Sequence, residues 1–576
     1  MPSSPERERD SFSVRFRSGL VCLGFSGRTG SRWRRFLTTE IEWGWEEQEV
    51  RGEVVRYNGM KSLTDIEIET TSRSFPVGKK RQESKVELAE LLRLIPLQTV
   101  KGPRELVVRG VTADSRDVLE GFVFVAIRGE TTDGHLHLDD AIERGAVAVV
   151  SEQKPERDDV TWIQTPNARQ AAGILAAKAF GNPAARMNLV GITGTNGKTT
   201  TAYLVDGILS RLSPPSTMRG TVVAKIGARS WPTRHTTPEA PVIQAFLEEA
   251  VRKGCDHGAL EVSSHGLALS RLEGTEFQVA VFTNLSRDHL DFHRDMEHYF
   301  EAKRRLFNRY LRPGGTAVIC IDDAYGERLA AELPMEVVTY GRSQTADLSI
   351  RDIEASLAGI EVQFSEGEEA HTIQSPLLGH YNGLNLVAAF AAVRALGFET
   401  ARVLETLNEV IGAPGRFERV AVQKPFDVVV DYAHTDDALR KLLEAARPLT
   451  AAKLTVVFGC GGERDRTKRP LMGDVATRLA DRVVLTSDNP RGEDPLAIID
   501  EIQLGTKGAD VEVEPDRRRA IELAMTGAHA GDLVVIAGKG HESYQIVKDE
   551  ALSFDDREVV RQIANGVSAP DEDSES

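Results

Sequence analysis

The chain has 576 residues, too many for one hydrophobic core and enough for roughly three to four domains. Hydrophobic residues at 41%, charged residues at 27% and a formal charge of −16 describe a globular chain with no affinity for nucleic acid or anionic membranes at large. No apolar run reaches the ~18 residues that span a bilayer, and Cys22, Cys255, Cys320 and Cys460 form no C-x-x-C pair, so a cytoplasmic location and no zinc site are expected.

Residues 1–87 begin with scattered arginines, among them Arg7, Arg15, Arg28 and Arg35, without a helical or strand period. No apolar segment follows to make a secretory signal, and Glu6, Glu8 and Asp10 count against a targeting presequence. The region reads as a poorly ordered extension, with Met60 as a candidate start of translation.

Residues 88–187 alternate short strands and helices: strands at 122–127 and 146–150, helices at 137–144 and 168–180. This predicts a small α/β domain. Its turns Ala113–Arg116 and Arg128–Gly134 carry Ser115, Glu130, Thr131 and Thr132, small polar groups that bind an anionic or sugar ligand or simply form turns.

The block 188–411 holds the strongest signal, Leu189-Val-Gly-Ile-Thr-Gly-Thr-Asn-Gly-Lys-Thr-Thr-Thr201. An apolar strand runs into a glycine-rich turn and a helix opening at Lys198, the layout in which backbone N–H groups cradle phosphates. Lys198 can reach terminal phosphates and Thr199 can hold magnesium, so ATP and Mg²⁺ are expected. The strict pattern wants glycine where Ile192 stands. Further on, Arg234-His-Thr-Thr-Pro-Glu239 is a polar turn into a helix, with Thr237 readable as its cap and Pro238 as its first residue. Glu261 sits in the apolar strand of Gly258–His265 and must be paired or bind a metal. A strand at 278–285 runs into Ser286–His293, whose ionisable groups suit a ligand crevice at a strand's carboxyl end. Lys303, in a helix predicted over 296–311, reads by itself as a solvated lysine. Asn382 and Asn385 precede an alanine-rich helix at 386–396 and read a nucleobase or cap that helix.

Residues 412–560 alternate strand and helix again and predict a second doubly wound sheet. Three glycine-bearing loops, Gly459–Asp465, Asp488–Arg491 and Gly538–Glu542, fall at strand ends and line one crevice if the sheet is parallel. Arg464 and Arg491 can bind carboxylates in two-pronged fashion and Glu542 an ammonium, which together suit a zwitterionic amino acid. Residues 561–576 form an acidic tail.

The motifs TGTNGKTTT, HTTPE, LEVSSHGL, NLSRDHLDFH, MEHYFEAKRRLF, GHYNGLN, PGRFE, VDYAHT, FGCGGERDRTKRPLM, SDNPRGEDP and AGKGHESYQ occur in this order over residues 88–560. Together they resemble the Mur ligases, specifically the type that adds meso-diaminopimelate to UDP-N-acetylmuramoyl-L-alanyl-D-glutamate. The resemblance implies an α/β chain of three domains: a small UDP-MurNAc-binding domain (88–187), a central ATP-binding parallel sheet (188–411) and a Rossmann-like amino-acid domain (412–560). It implies ATP contacts at Gly194, Thr195, Asn196, Gly197, Lys198, Thr199, Thr200, Asn382, Arg416 and Asp431. Thr199, Glu261, His289 and a carbamylated Lys303 would hold magnesium, and Lys198, Glu261, His289 and Lys303 would be catalytic.

Contacts to the UDP-muramoyl dipeptide are implied for Ser115, Glu130, Thr131, Thr132, His235, Thr236, Thr237, Ser263 and Arg271. For diaminopimelate they are implied at Arg464, Asp488, Asn489, Pro490, Arg491, Gly538 and Glu542. Asp-Asn-Pro-Arg marks diaminopimelate-adding relatives, since Arg491 can pair with a second carboxylate that lysine lacks. The resemblance also implies a monomer with no nucleic-acid partner and no membrane insertion. The competing readings are a relative that adds lysine or extends folate with glutamate, and a phosphate-loop ATPase without ligase activity.

Overall fold

A computed structural model describes residues 85–566 except 130, 131, 156 and 549, together with four short strands nearer the N-terminus. Those strands form two antiparallel hairpins, Ser11–Phe16 with Gly19–Gly24 and Glu47–Val50 with Glu53–Arg56, where the sequence shows no strand period. They belong to a unit spanning Met1–Arg73, and Ser74–Ser576 forms a second unit. The expectations for the rest of the extension and for residues 567–576 lie outside the described residues.

The second unit contains three large sheets and two pairs of short strands, Val86–Glu87 with Val107–Val108 and Tyr544–Val547 with Glu550–Ser553. The first has the order Thr99–Lys101, Thr161–Gln164, Ala146–Ser151, Phe122–Val125, Gly110–Thr112, parallel except for its first strand. The alanine-rich helix Ala168–Ala179 packs on it closely because its buried face carries almost no side-chain bulk.

The central sheet has eleven strands. Its fifth strand, Asn188–Thr193, is flanked by His257–Glu261 and Phe277–Phe282, both parallel to it. Apolar residues line both faces of these strands, and a parallel sheet covered on both sides requires that pattern. Helices Lys198–Leu212 and Tyr381–Ala395 cover one face, and Ala240–Arg252 and Met296–Arg305 the other. Beyond Val337–Gly341 the sheet continues into an antiparallel meander, Leu348–Ser356, Gly359–Glu366 and Glu369–Ser375.

The third sheet runs Glu418–Val420, Asp427–Asp431, Leu533–Ala537, Leu454–Phe458, Arg482–Leu485, Glu512–Val513, with only the first strand antiparallel. The carboxyl ends of its parallel strands therefore lie on one side, and the loops after residues 458, 485 and 537 converge there. The helix Asp556–Ala564 runs across residue 560, where the sequence reading ends this domain.

Three local expectations are corrected. The helix expected over 296–311 is regular only to Arg305; a wide turn, Leu306–Tyr310, follows, and Leu311 opens a strand. Tertiary burial of Leu306, Phe307 and Tyr310 outweighs helical continuity. The alanine-rich helix begins at Tyr381, so Asn382 and Asn385 lie inside its first turns and cap nothing. Thr237 and Pro238 do not start the helix that follows them: it begins at Ala240 after Glu239, with Pro241 in its first turn.

Candidate functional site

The phosphate loop departs from the strict spacing because its backbone needs glycine at other positions. Ile192 is still strand, fully buried. Gly194 has φ +147° and an added Cβ would lie 1.9 Å from Thr283 Oγ1; at Gly197, φ +86°, it would lie 2.4 Å from Asn385 Oδ1. Those two glycines let the loop turn between the neighbouring strand end and the helix. The loop is tied to that strand end, as Thr195 N donates to the Asn284 carbonyl at 2.9 Å and Asn196 N to Asn284 Oδ1 at 3.0 Å. Gly197 then precedes the helix Lys198–Leu212, whose N-terminus faces the loop.

A polar cleft of about 190 Å³ opens over this loop, walled by Thr221, Thr236, Ser263, His289, Lys303 and Arg416. Lys198 Nζ donates to the carbonyls of Gly194 and Thr195 at 3.0 and 2.9 Å. Burial lowers its ammonium from the usual lysine value, opposed by the Glu261 carboxylate. Glu261, 3% exposed, accepts from Thr199 Oγ1 at 2.9 Å, Thr221 N at 2.8 Å and Thr221 Oγ1 at 3.0 Å. That resolves how an acid survives in an apolar strand: every bond it makes is to a hydroxyl or amide at the cleft.

Lys303 is not solvated. It is 1% exposed, donates to the Gly194 carbonyl at 2.7 Å, and sits 4.5 Å above the Tyr299 ring. Burial, with Lys198 adding to it, holds its amine well below the usual lysine range. His289, half-exposed and in a left-handed turn at φ +52°, packs edge-on against His265 at 4.9 Å. Burial lowers its imidazole pKa and favours the neutral ring.

The three residues expected to hold the nucleotide fare differently. Arg416 reaches the cleft and lies 4.6 Å over the Tyr432 ring. Asp431 accepts from Phe417 N and Ala433 N, both at 2.7 Å, while burial raises its carboxyl. Asn382 is buried away from the cleft, donating to the Leu378 carbonyl at 2.7 Å and accepting from Asn385 Nδ2 at 2.8 Å.

Of the residues expected at the acceptor, Thr236 lines the cleft and bonds Thr221 Oγ1 at 3.0 Å. Thr237 Oγ1 is spent inside the protein, donating to the Glu261 carbonyl at 3.1 Å and accepting from Ser263 N at 3.0 Å. Ser263 Oγ accepts from Gly266 N at 3.0 Å and so caps the short helix Ser264–Ala268. His235 is exposed and Ser115 buried. Thr132 Oγ1 lies 3.3 Å from His137 Nε2, and Glu130 and Thr131 fall outside the described residues. Arg271 is paired with Glu239.

In the third domain the converging loops place Asp488, Asn489, Pro490, Gly538 and Glu542 together. Asn489 Nδ2 donates to Glu542 Oε2 at 2.9 Å, and Lys539 Nζ reaches both Asn489 Oδ1 and Glu542 Oε2 at 3.2 Å. Gly538, φ +114°, leaves room for Asp488, whose Oδ2 would be 2.5 Å from an added Cβ. Arg491 Nη1 donates only to the carbonyls of Gly462 and Asn489, at 2.8 and 3.3 Å. Arg464 is exposed, and its Cγ and Arg491 Nη1 lie 3.7 and 3.0 Å from where a Gly461 Cβ would be. Among the described residues, no acid pairs with either arginine. The neighbouring Arg469 is instead neutralised by Glu493 and Glu501, both at 2.9 Å.

Sequence reasoning assigned no role to Thr221, Tyr299 or Lys539. Tyr299 and Lys539 stand inside recognisable motifs, whereas nothing near Thr221 marks it. It also passed over Arg219, a buried guanidinium 5.5 Å from the Phe246 ring centre whose pKa burial lowers to about 10.

Fold and site define an α/β protein built on three large sheets, with a phosphate-binding loop in its central domain and converging polar loops that carry Arg464 and Arg491 in its third. Three family descriptions match: "Mur ligase family, catalytic domain" over 107–180, "Mur ligase middle domain" over 192–393, and "Mur ligase, glutamate ligase domain" over 415–540. The chain is 45% identical over 481 residues to UDP-N-acetylmuramoyl-L-alanyl-D-glutamate--2,6-diaminopimelate ligase of Solibacter usitatus, covering 82% of this chain and 97% of that protein. It is 44% identical to the ligase of the same name from Synechococcus elongatus, covering 82% and 98%. A solved structure of a ligase of that name superposes with TM-score 0.62 at 36% identity, covering 84% of this chain and 99% of the other. The chain belongs to the Mur ligase family.

Proposed function

We propose that this protein is the ATP-dependent ligase that joins meso-diaminopimelate to the D-glutamyl γ-carboxylate of UDP-N-acetylmuramoyl-L-alanyl-D-glutamate, in peptidoglycan precursor synthesis. The observation that carries it is the pair Arg464 and Arg491, two arginines whose side chains pass beside Gly461 with no described acid as partner. They can take the carboxylates of an amino acid, while Glu542 and Asn489 face its ammonium end. Diaminopimelate brings a carboxylate at each end, and lysine does not.

The acceptor γ-carboxylate attacks the ATP γ-phosphate, giving an acyl phosphate and ADP; the diaminopimelate amine then displaces phosphate and forms the amide. Lys198 turns from the carbonyls of Gly194 and Thr195 to the phosphates, offsetting charge that gathers on the transferring group. Thr199 and Glu261 present a hydroxyl and a carboxylate 2.9 Å apart beside the loop, a hard-oxygen pair suited to magnesium; His289 would be a further magnesium contact, and a carbamylated Lys303 would hold a second magnesium. Bound there, magnesium would neutralise phosphate oxygens. The lowered basicity of Lys303 favours its neutral amine, the form that adds carbon dioxide.

The test supplies purified protein with ATP, the UDP-muramoyl dipeptide and either meso-diaminopimelate or lysine. Product is expected with diaminopimelate alone, and Arg491→Ala raises its KM about 10-fold or more. Turnover of lysine at a comparable rate would sink the argument from Arg491. ATP hydrolysis without the dipeptide would favour a simple ATPase.

A further inference from the structure

Glu239, at the end of the His235–Thr237 turn, is the meeting point of two arginines from different domains. Arg169 Nη1, on the helix Ala168–Ala179 of the first domain, donates to Glu239 Oε1 at 2.5 Å. Arg271 Nε, in the central domain, donates to the same oxygen at 3.1 Å. Each arginine also holds a backbone carbonyl. Arg271 Nη1 donates to Thr237 O at 3.2 Å, and Arg169 Nη2 to Arg128 O at 3.3 Å, where the turn 128–134 begins. Arg169 is 15% exposed and Glu239 27%, so this network is shielded enough for its charges to matter. Glu239 Oε2 is buried with no hydrogen-bond partner, so one oxygen carries both guanidinium groups.

We propose that Arg169 is a positioning residue for the acceptor: it ties Arg128 of the first domain to the central domain's His235–Thr237 turn. The inference rests on reading Thr132, close after Arg128, and the His235–Thr237 turn as part of the acceptor site. The Arg271–Glu239 pair lies within the central domain and survives loss of Arg169, so that half of the pocket keeps its shape. Arg128 loses its anchor, and acceptor binding must then bear the cost of holding it in place. The nucleotide loop and the third domain's crevice contain no part of this network. The effect therefore falls on acceptor affinity and spares the other substrates.

Steady-state kinetics of the full chain carrying Arg169→Ala, Arg169→Lys or Glu239→Gln tests this, with the melting temperature measured alongside. The alanine variant is expected to raise the acceptor KM about 10-fold, with KM for ATP and the amino acid and kcat all within about twofold of wild type. Lysine restores part of the loss, since one ammonium can pair with Glu239 but cannot fork to Arg128 as well. Glu239→Gln raises the acceptor KM in the same sense. If the alanine variant does not fold, Arg169→Lys carries the test through its intermediate KM. An unchanged acceptor KM, or a uniform loss in every constant that tracks melting temperature, overturns the role of Arg169. Wild-type protein that does not use the UDP-muramoyl dipeptide overturns the functional reading, and the role of Arg169 with it.

Discussion

Lys303 shows how far one residue's chemistry depends on its surroundings. An ordinary lysine is almost wholly protonated at neutral pH and cannot add carbon dioxide; this one is buried against the Gly194 carbonyl with Lys198 nearby, and both effects favour the neutral amine. Its pKa is lower folded than unfolded, so the folded chain binds fewer protons there. Stability from this group therefore rises with pH between the folded and unfolded values, and acid protonates the amine. Lys303→Ala is expected to cut kcat at least about 100-fold, with partial rescue by a short added carboxylate such as acetate. Intact-mass measurement of wild type in bicarbonate checks the chemistry: a carbamate adds one carbon dioxide, lost on acidification.

At the scale of elements, the crevice of the third domain is held from behind by one fully buried ion pair. Arg517, at the start of the helix Arg517–Thr526, donates to both Asp556 oxygens at 2.7 Å, and neither side chain is exposed. The same guanidinium donates to the carbonyls of Ser487 and Ala537 at 3.2 and 3.0 Å, the residues just before Asp488 and Gly538. Two site loops and the last helix thus hang on a single side chain. Asp556→Asn leaves that guanidinium buried with its partner's charge gone, and is expected to destabilise by about 3–5 kcal/mol. The double change Arg517→Met with Asp556→Leu removes both charges and should cost less stability by chemical denaturation, yet raise the amino-acid KM because the carbonyls lose their anchor.

For the molecule as a whole, the reaction needs groups from two domains at one point. The phosphate loop and Lys303 sit in the central domain, while Arg464 and Arg491 sit in the third. Only Arg416, from the start of that third domain, reaches the nucleotide cleft. An acyl phosphate exposed to water would hydrolyse, so the third domain is expected to close over the cleft once all three substrates are bound. Small-angle scattering should give a smaller radius of gyration with a non-hydrolysable ATP analogue, acceptor and diaminopimelate than with the protein alone. An unchanged radius would mean that the resting arrangement is already the closed one.

The parallel strands and helices between residues 427 and 537 were legible to within a residue or so, because alternating apolar runs and polar turns mark a parallel sheet directly; the strand Glu418–Val420, the hairpin Tyr544–Val547 with Glu550–Ser553 and the helix Asp556–Ala564 were not. The phosphate loop was legible for the same reason: its glycines answer to local backbone geometry at Gly194 and Gly197. Side-chain burial was not. Lys303 and Asn382 both read as surface or capping residues, yet helix packing buries them, and the wide turn at Leu306–Tyr310 follows from the core it fills. Nothing local marks Thr221 as a partner of Glu261 or Arg169 as a partner of Glu239, since each pair is joined only when distant segments fold together. Sequence by itself determined the order of elements, the nucleotide loop and the kind of chemistry. Tertiary structure alone decided which charges are neutralised and which are left free for a substrate, because that depends on burial and on partners far apart in the chain.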